Sequence, residues 1–340
     1  MIEIAVVGAG HWGPNLIRNF DNQTRSSVRW IVDTDLARLR AAQTRFPGAT
    51  CTTDFGQALA DARVQAMVIA TPTTTHAALT RAALESGRHV LVEKPLTTES
   101  SSARALSDLA ARSGLVLVVG HVFVHNPAVQ WVKQRLASGD LGRLYYASSS
   151  RTNLGPIRSD VNVSWDLAAQ DIAIFDYWFD ATPESVSAQG HGWLNGGNHQ
   201  DAVFATLRYP GEVLVHLLVS WLNPRKVRHI TLVAEQRMLT YDDLSADEPI
   251  RIFDKRALPR STDPLVDTYA AFRAQVHSGD ITIPPVRMGE PLNLECMHFL
   301  DCIEDGRTPL TGGPQAVAVV ETLEAIDRSL AARGREERVR

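Results

Sequence analysis

Over the first third of the chain, short and nearly unbroken apolar runs alternate with longer amphipathic stretches. The runs at residues 2–7, 28–33, 66–70, 89–93 and 115–120 read as strands, and 14–20, 36–45, 76–86 and 98–113 read as helices. Strands that are apolar on both sides belong in a parallel sheet covered on two faces. Thr97 or Thr98 is placed to cap the last of these helices. The pattern changes after His125-Asn126-Pro127. A helix at 128–138 and a glycine turn at 139–142 lead into a run at 144–150, then through a loop holding Gly155-Pro156 to a helix at 166–179. Runs at 202–209, 213–221, 227–235, 238–241 and 250–253 follow with no long helix between them. That is the pattern of an antiparallel sheet joined by hairpins, with Tyr209-Pro210-Gly211-Glu212 as one hairpin turn. Helices return at 266–278, 290–305 and 314–333, and the charged tail 334–340 should fray. The expectation is an α/β chain of two domains. Residues 1–123 form a parallel α/β domain, and 124–340 an α+β domain with a large, mostly antiparallel open sheet.

Composition narrows the class without changing this picture. The chain has 340 residues, 44% of them hydrophobic and 21% charged, enough for two cores. A net charge of −4 gives no electrostatic footprint for nucleic acid or an anionic membrane. No apolar run approaches the roughly 18 residues of a transmembrane helix. The first residues enter a strand at once, so no signal peptide is read, and a cytoplasmic protein is expected. Cys51, Cys296 and Cys302 lack metal-ligand spacing and read as free thiols in a reducing compartment, and no metal is assigned.

The first strand runs into Gly8-Ala9-Gly10-His11-Trp12-Gly13, a G-x-G-x-x-G that opens a helix. Gly8 permits the tight turn, Gly10 the approach of a pyrophosphate, and Gly13 close packing of helix on strand. The helix N-terminus then faces the phosphates, and Pro14 suits its first turn. Asp33 ends the next strand, where a carboxylate binds ribose hydroxyls and repels a 2′-phosphate. NAD is therefore favoured over NADP, and Arg38 is the nearest arginine. Thr71 and Pro72 end a third strand, where a backbone edge suits the cofactor; His76 either reaches the nicotinamide region or packs locally. Glu93-Lys94-Pro95 ends a fourth. A lysine closing a buried strand is ordinarily paired or snorkelling. At the carboxyl end of a parallel strand it stands where open α/β sheets bind ligands. Beside a nicotinamide it can exchange a proton with a substrate hydroxyl or ketone.

In this order, the 8–13 motif, Asp33, Ala70-Thr71-Pro72, His76 and Glu93-Lys94-Pro95 resemble the glucose–fructose oxidoreductase / inositol dehydrogenase (Gfo/Idh/MocA) family. The resemblance covers most of 1–180 and, more loosely, 290–330. It implies a Rossmann dinucleotide-binding domain and a second domain whose open sheet carries the substrate site and packs subunits into a homodimer or homotetramer. Gly8, Gly10, His11, Trp12, Gly13, Asp33, Thr71, Pro72, His76, Glu93, Lys94 and Pro95 would then hold NAD. Val119-Gly120-His121, Asn126-Pro127-Ala128-Val129, Arg151-Thr152-Asn153-Leu154-Gly155, Asp160-Val161-Asn162-Val163 and Trp165-Asp166-Leu167-Ala168 are similar to a branch acting on nucleotide-linked sugars. That branch holds UDP-N-acetylglucosamine (or uronate) 3-dehydrogenases and 3-ketoreductases. The implied chemistry is NAD-dependent hydride transfer to or from C3 of a UDP- or dTDP-linked sugar, with Lys94 as acid/base. His121, Asn126, Arg151, Asn153, Arg158, Asp166 and Gln170 would contact the sugar nucleotide.

One position departs from that pattern. The family's catalytic set is usually a lysine, then an aspartate and a histidine four apart on one helix. Asp166 fills the aspartate position, but Gln170 stands where the histidine would be. A primary amide hydrogen-bonds and orients; it does not take a proton near neutral pH. Three readings stay open: Lys94 alone does the acid/base work, another acceptor such as His121, Tyr145, Tyr146 or a water chain assists it, or the redox step is changed or lost. The alternatives are an NAD(P)H-dependent ketoreductase of a deoxy- or aminosugar and a dinucleotide-binding protein without turnover. Trp165 reads as a core residue before a sugar platform. The run at 213–221, apolar throughout, calls for cover by another subunit.

Overall fold

The computed structural model describes residues 1–158, 160–194, 199–257 and 276–340. The chain divides into two compact units, Met1–Asn126 with Gly289–Glu324, and Pro127–Met288 with Ala325–Arg340. The sequence reading gave 124–340 wholly to the second domain, whereas 289–324 return to the first unit. The reason is the core: Leu292, Cys296, Phe299 and Leu300 belong to the same apolar cluster as Ile4, Leu16 and Phe20.

In the first unit the strands are β1 (Ile2–Val7), β2 (Ser26–Val32), β3 (Thr50–Thr52), β4 (Ala66–Ile69), β5 (His89–Val92) and β6 (Leu117–Val119). They form one parallel sheet of order β3-β2-β1-β4-β5-β6. β4 is buried throughout, as a strand covered on both faces must be. Its helices are α1 (Gly13–Asp21), α2 (Leu36–Arg45), α3 (Phe55–Ala60), α4 (Thr73–Glu85) and α5 (Ser100–Ser113). β3 and α3 were not read from the sequence. Three residues at a sheet edge leave no apolar run, and the local signal is a cap: Asp54 accepts the Gly56 N–H. Asp35 caps α2 in the same way, through Ala37 and Arg38. The expected Thr97 or Thr98 cap of α5 does not form. Glu99 holds the cap position without a side-chain bond, and a distant carboxylate, Glu324, takes the Ser100 N–H at 2.8 Å and its hydroxyl at 2.7 Å. Helix α6 (Pro127–Ala137) opens the second unit; after α7 (Ala169–Phe179), α8 (Pro291–Asp305) lies in the first unit, and α9 (Gly313–Ala331) divides between them at Glu324.

The second unit holds β7 (Leu144–Leu154), β8 (Ser185–His191), β9 (Ala202–Tyr209), β10 (Val213–Ser220), β11 (Leu222–Ala234), β12 (Met238–Asp242), β13 (Ile250–Ala257), β14 (Val276–Thr282) and β15 (Glu337–Arg338). The sheet order is β14-β13-β12-β11-β7-β10-β9-β8-β15. Every pairing is antiparallel except β7 with β10, which is parallel. The turn at Pro210–Glu212 joins β9 to β10 as expected. Three expectations meet a different outcome. Most of the helix expected at 266–278 lies outside the described residues, and its last positions begin β14 instead. The tail carries β15, pinned to β8 by Glu337 and Arg338. Nor is the 213–221 run apolar on both sides: Val215, Leu217 and Val219 are buried, while Leu214 and His216 face out. Among the described residues no helix is long and apolar enough to cross a membrane.

Helix α7 packs Trp178 on Tyr241 and Phe179 on Tyr209, with ring centroids 6.3 and 5.1 Å apart. Between these contacts Asp176 Oδ1 accepts the Tyr209 hydroxyl at 2.7 Å, while its Oδ2 is shut from solvent without a partner. Burial pushes this carboxyl up to about 8. Its folded value exceeds the unfolded one, about 3.9. The fold therefore loses stability as pH rises from the unfolded value towards the folded one. Asp176→Asn keeps an oxygen for Tyr209 and removes the titration. Its melting temperature should match wild type at pH 4 and exceed it by several degrees at pH 8, each kcal/mol being worth about 2–4 °C. Equal melting temperatures at pH 8 would contradict this.

Candidate active site

The carboxyl ends of the parallel strands carry the candidate residues of the first unit. Gly8 adopts φ +102°, and a Cβ there would lie 2.4 Å from Ala70 O; a Cβ on Gly13 would lie 1.9 Å from Gly8 O. Both positions are closed to any side chain, which is what a phosphate-binding turn packed against strand and helix requires. Trp12 occupies the cap position of α1 and makes no side-chain cap bond, so the helix start is available to an anion. Asp33 is nearly buried. Its Oδ2 accepts the Ala9 N–H at 2.7 Å and its Oδ1 the Asp35 N–H at 2.8 Å, so it braces the glycine turn. Arg38 Nη1 lies 3.7 Å from Asp33 Oδ2 and beside Gly10. These residues fit a dinucleotide: a turn with glycine at its closest approaches, an uncapped helix N-terminus and a carboxylate at the end of the neighbouring strand.

After β4, His76 is buried with Nε2 2.8 Å from Thr71 O and Nδ1 2.8 Å from Pro95 O. It ties together the segments that follow β4 and β5, so of the two roles open to it the structure favours local packing. Lys94, joined to Pro95 by a cis peptide bond, stands two residues beyond β5. Its N–H donates to Glu93 Oε2 at 3.3 Å, and the Trp12 side chain also bonds Glu93. Burial raises the Glu93 carboxyl to about 7 against the lowering effect of Lys94. His121, just past β6, is buried with Nδ1 lacking a partner. Burial, helped by the Lys94 charge, pushes its imidazole down to about 3. It is neutral near pH 7 and too weak a base to serve as the proton acceptor there. Asn126 is buried at the end of this unit, its N–H bonded to Phe123 O at 3.0 Å.

The second unit presents Asp166 and Gln170. The expected helix at 166–179 begins instead with a π-helical turn, Ser164–Ala168, closed by the Ala169 N–H on Ser164 O. Such turns are often found at functional sites. Asn162 Oδ1 caps it by accepting the Ser164 N–H at 3.0 Å. The four-residue spacing from Asp166 to Gln170 therefore crosses a π–α junction and is not the simple i, i+4 pair of an α-helix. Asp166 Oδ2 accepts the Trp221 indole N–H at 3.1 Å, and Arg158 Nη1 lies 3.5 Å from Oδ1. Gln170 is buried.

Two expected sugar-nucleotide contacts change character. Arg151 and Asn153 lie on β7 and not in the following loop. Arg151 is buried, with Nε donating to Asp171 Oδ1 at 2.8 Å and Nη2 2.6 Å from the same oxygen. A guanidinium so paired is a structural charge and not an open phosphate grip. Arg158 forks onto Asp160 at 2.9 and 2.6 Å. Trp165 is a core residue, its indole N–H donating to Asp327 at 2.7 Å. Tyr145 and Tyr146 are exposed on β7.

Comparison with known proteins identifies the family. A profile described as an oxidoreductase family with an NAD-binding Rossmann fold matches residues 2–121, and a GFO/IDH/MocA C-terminal domain profile matches 129–240. The chain belongs to the GFO/IDH/MocA oxidoreductase family. Within it, the chain is 32% identical over 265 residues to the scyllo-inositol 2-dehydrogenase (NAD(+)) of Bacillus subtilis, covering 75% of this chain and 72% of that one. It is 34% identical over 184 residues to the UDP-N-acetylglucosamine 3-dehydrogenase of Acidithiobacillus ferrooxidans, covering 54% and 57%. GenD2 from gentamicin A biosynthesis, solved in complex with NAD, superposes with a TM-score of 0.83 at 26% identity, covering 100% of this chain and 96% of that one. The chain spans under two thirds of the length of some curated relatives it matches, 62% and 57% in two cases.

Sequence reasoning missed one buried acid, Glu295. The signal was there: Leu292, Glu295, Cys296, Phe299 and Leu300 are the buried stripe of α8, spaced i, i+3, i+4, i+7, i+8. A carboxylate inside an apolar helical stripe is out of place unless it has a task.

Proposed function

We propose that this GFO/IDH/MocA member is an NAD-dependent oxidoreductase that moves hydride to or from C3 of a UDP- or dTDP-linked sugar. The observation that carries the reading is Lys94, two residues past the carboxyl end of β5, in the sheet that also carries the glycine turn and Asp33. NAD, when bound, supplies the hydride acceptor or donor. Lys94 exchanges the proton of the reacting hydroxyl. Asp33 binds the adenosine ribose, and the 8–13 turn holds the pyrophosphate. The roles of Asp166 in orienting the hydroxyl and Gln170 in hydrogen-bonding a neighbouring one rest on the family pattern. Support for a sugar substrate comes from relatives named as dehydrogenases of an inositol and of a UDP-sugar. The experiment is mass spectrometry of small molecules released on denaturation, with NADH fluorescence followed across a panel of UDP-sugars, dTDP-sugars and inositols. Bound NAD(H) and a response confined to nucleotide sugars support the reading; a response to inositols alone overturns the substrate assignment.

Gln170 favours a second reading, in which the chain reduces a 3-ketosugar or binds the dinucleotide without turnover. If Lys94 alone handles the proton, Gln170→Ala raises KM with little change in kcat, the signature of lost uniform binding. A Gln170→His variant that oxidises sugar at least about tenfold faster, within reach of one added acid/base group, would favour the second reading.

A homodimer or homotetramer through the outer face of the second sheet also follows. Leu214, Phe204 and Tyr146 are exposed there on three adjacent strands, and an apolar patch of this kind is ordinarily covered. Sedimentation of wild type as a monomer would contradict this.

A further inference from the structure

Trp221 is the single residue between β10 and β11. Those strands flank β7 on opposite sides, β10 parallel to it and β11 antiparallel. The chain therefore passes from one side of β7 to the other at Trp221, with Ser220 paired to Thr152 and Leu222 to Leu154. Hydrogen bonds hold the crossing. The Trp221 N–H donates to Asp201 O at 3.0 Å, and the Leu222 N–H to Ser220 Oγ at 3.0 Å. The Trp221 side chain is fully buried, so its ring is locked by packing. An indole in such a place needs an acceptor for its N–H. That acceptor is Asp166 Oδ2, 3.1 Å from Nε1. Asp166 itself sits on the π-helical turn and is partly exposed. Arg158 Nη1 stands 3.5 Å from the other oxygen, outside the usual range of about 2.7–3.2 Å, and Arg158 is forked onto Asp160. The indole is the firmer of these two holds. It also differs in kind, because an indole N–H only donates and carries no charge. It fixes one oxygen, adds no counter-charge, and takes one of about four lone-pair positions on the carboxylate.

We propose that Trp221 is a positioning residue for Asp166: its indole N–H sets the rotation of the carboxylate so that the remaining lone pairs meet the substrate hydroxyl. The inference rests on the sugar-oxidoreductase reading above, in which Asp166 orients that hydroxyl. A reacting group held in the right geometry gains rate, and a small misplacement loses much of the gain. A side chain on a turn keeps that precision only if a rigid neighbour locks it. Trp221 qualifies because both its backbone and its ring are fixed, at a crossing between two strands of the sheet. It acts through Asp166 alone.

The test is a double-mutant cycle on the whole protein: wild type, Trp221→Phe, Asp166→Ala and the two together. Steady-state kinetics use NAD⁺ and whichever sugar of the UDP-sugar, dTDP-sugar and inositol panel gives turnover. Trp221→Phe keeps an aromatic ring and loses the donor. Both kcat and kcat/KM should fall by about tenfold or more, the loss of one hydrogen bond to a charged acceptor. KM should change little, the signature of an interaction made in the transition state. In the Asp166→Ala background the same substitution should change kcat/KM by less than about twofold, because the bond it removes is already gone. A Trp221 that only fills the core would lower kcat/KM by the same factor in both backgrounds, and that result overturns the proposal. So does a rise in KM with kcat unchanged. Phenylalanine leaves a void, so the matched test incorporates benzothienylalanine at position 221, which keeps the bicyclic shape and lacks only the N–H. It should show the same loss of kcat at a melting temperature near that of wild type. Wild-type kcat in that protein overturns the proposal whatever the phenylalanine variant does. A wild type that turns over no sugar of the panel overturns the oxidoreductase reading and this inference with it; turnover with independent losses overturns this inference alone.

Discussion

Lys94→Ala should lower turnover by at least about 10²-fold while NAD still binds, the usual loss when a general acid/base group is removed. The expectation follows from position. Lys94 stands beyond β5, held by a backbone bond to Glu93 and next to a proline whose carbonyl is tied to His76. Neither nearby histidine replaces it near neutral pH. His121 is held neutral and weakly basic, and His76 is engaged with two carbonyls. Steady-state kinetics with a cofactor titration by fluorescence checks both halves. Wild-type-like turnover would remove Lys94 from the chemistry; loss of NAD binding would assign it to the cofactor instead.

Asp33→Ser should shift cofactor preference towards NADP by about tenfold or more. Two unit charges about 4 Å apart interact by about 4 kcal/mol at an effective dielectric of about 20, and a third of that is already a factor of ten. Removing the carboxylate ends the repulsion of a 2′-phosphate. It also releases Arg38, now 3.7 Å from Asp33 Oδ2, to grip that phosphate with its fork. NAD should bind somewhat more weakly, since the Ala9 N–H loses its acceptor. Dissociation constants for both dinucleotides in both proteins decide the matter, and an unchanged NAD/NADP ratio would exclude Asp33 from the ribose site.

The fold was legible where the signal is local. The alternation of apolar runs and helices located β1, β2, β4, β5 and β6 within a few residues, and the glycine motif fell on the turn it requires. What escaped depends on partners distant in sequence. The cap of α5 comes from Glu324, more than two hundred residues away, so Thr97 and Thr98 looked sufficient. Arg151 read as an open cation because Asp171, its buried partner, is met only when α7 packs on the sheet. The return of α8 to the first core is a matter of packing that periodicity does not reveal. The acid in the α8 stripe was legible and was passed over, because a helix reading records which positions are apolar and not which one breaks the pattern.

The most direct test of the account uses UDP-N-acetylglucosamine carrying deuterium at C3, incubated with the protein and NAD⁺. The account predicts NADH carrying one deuterium, with its formation slowed by the label and lowered at least about 10²-fold in Lys94→Ala. NADH formed without deuterium would place the reacting carbon elsewhere. No NADH from this or any labelled nucleotide sugar, with NAD⁺ bound, would contradict the proposed oxidation itself.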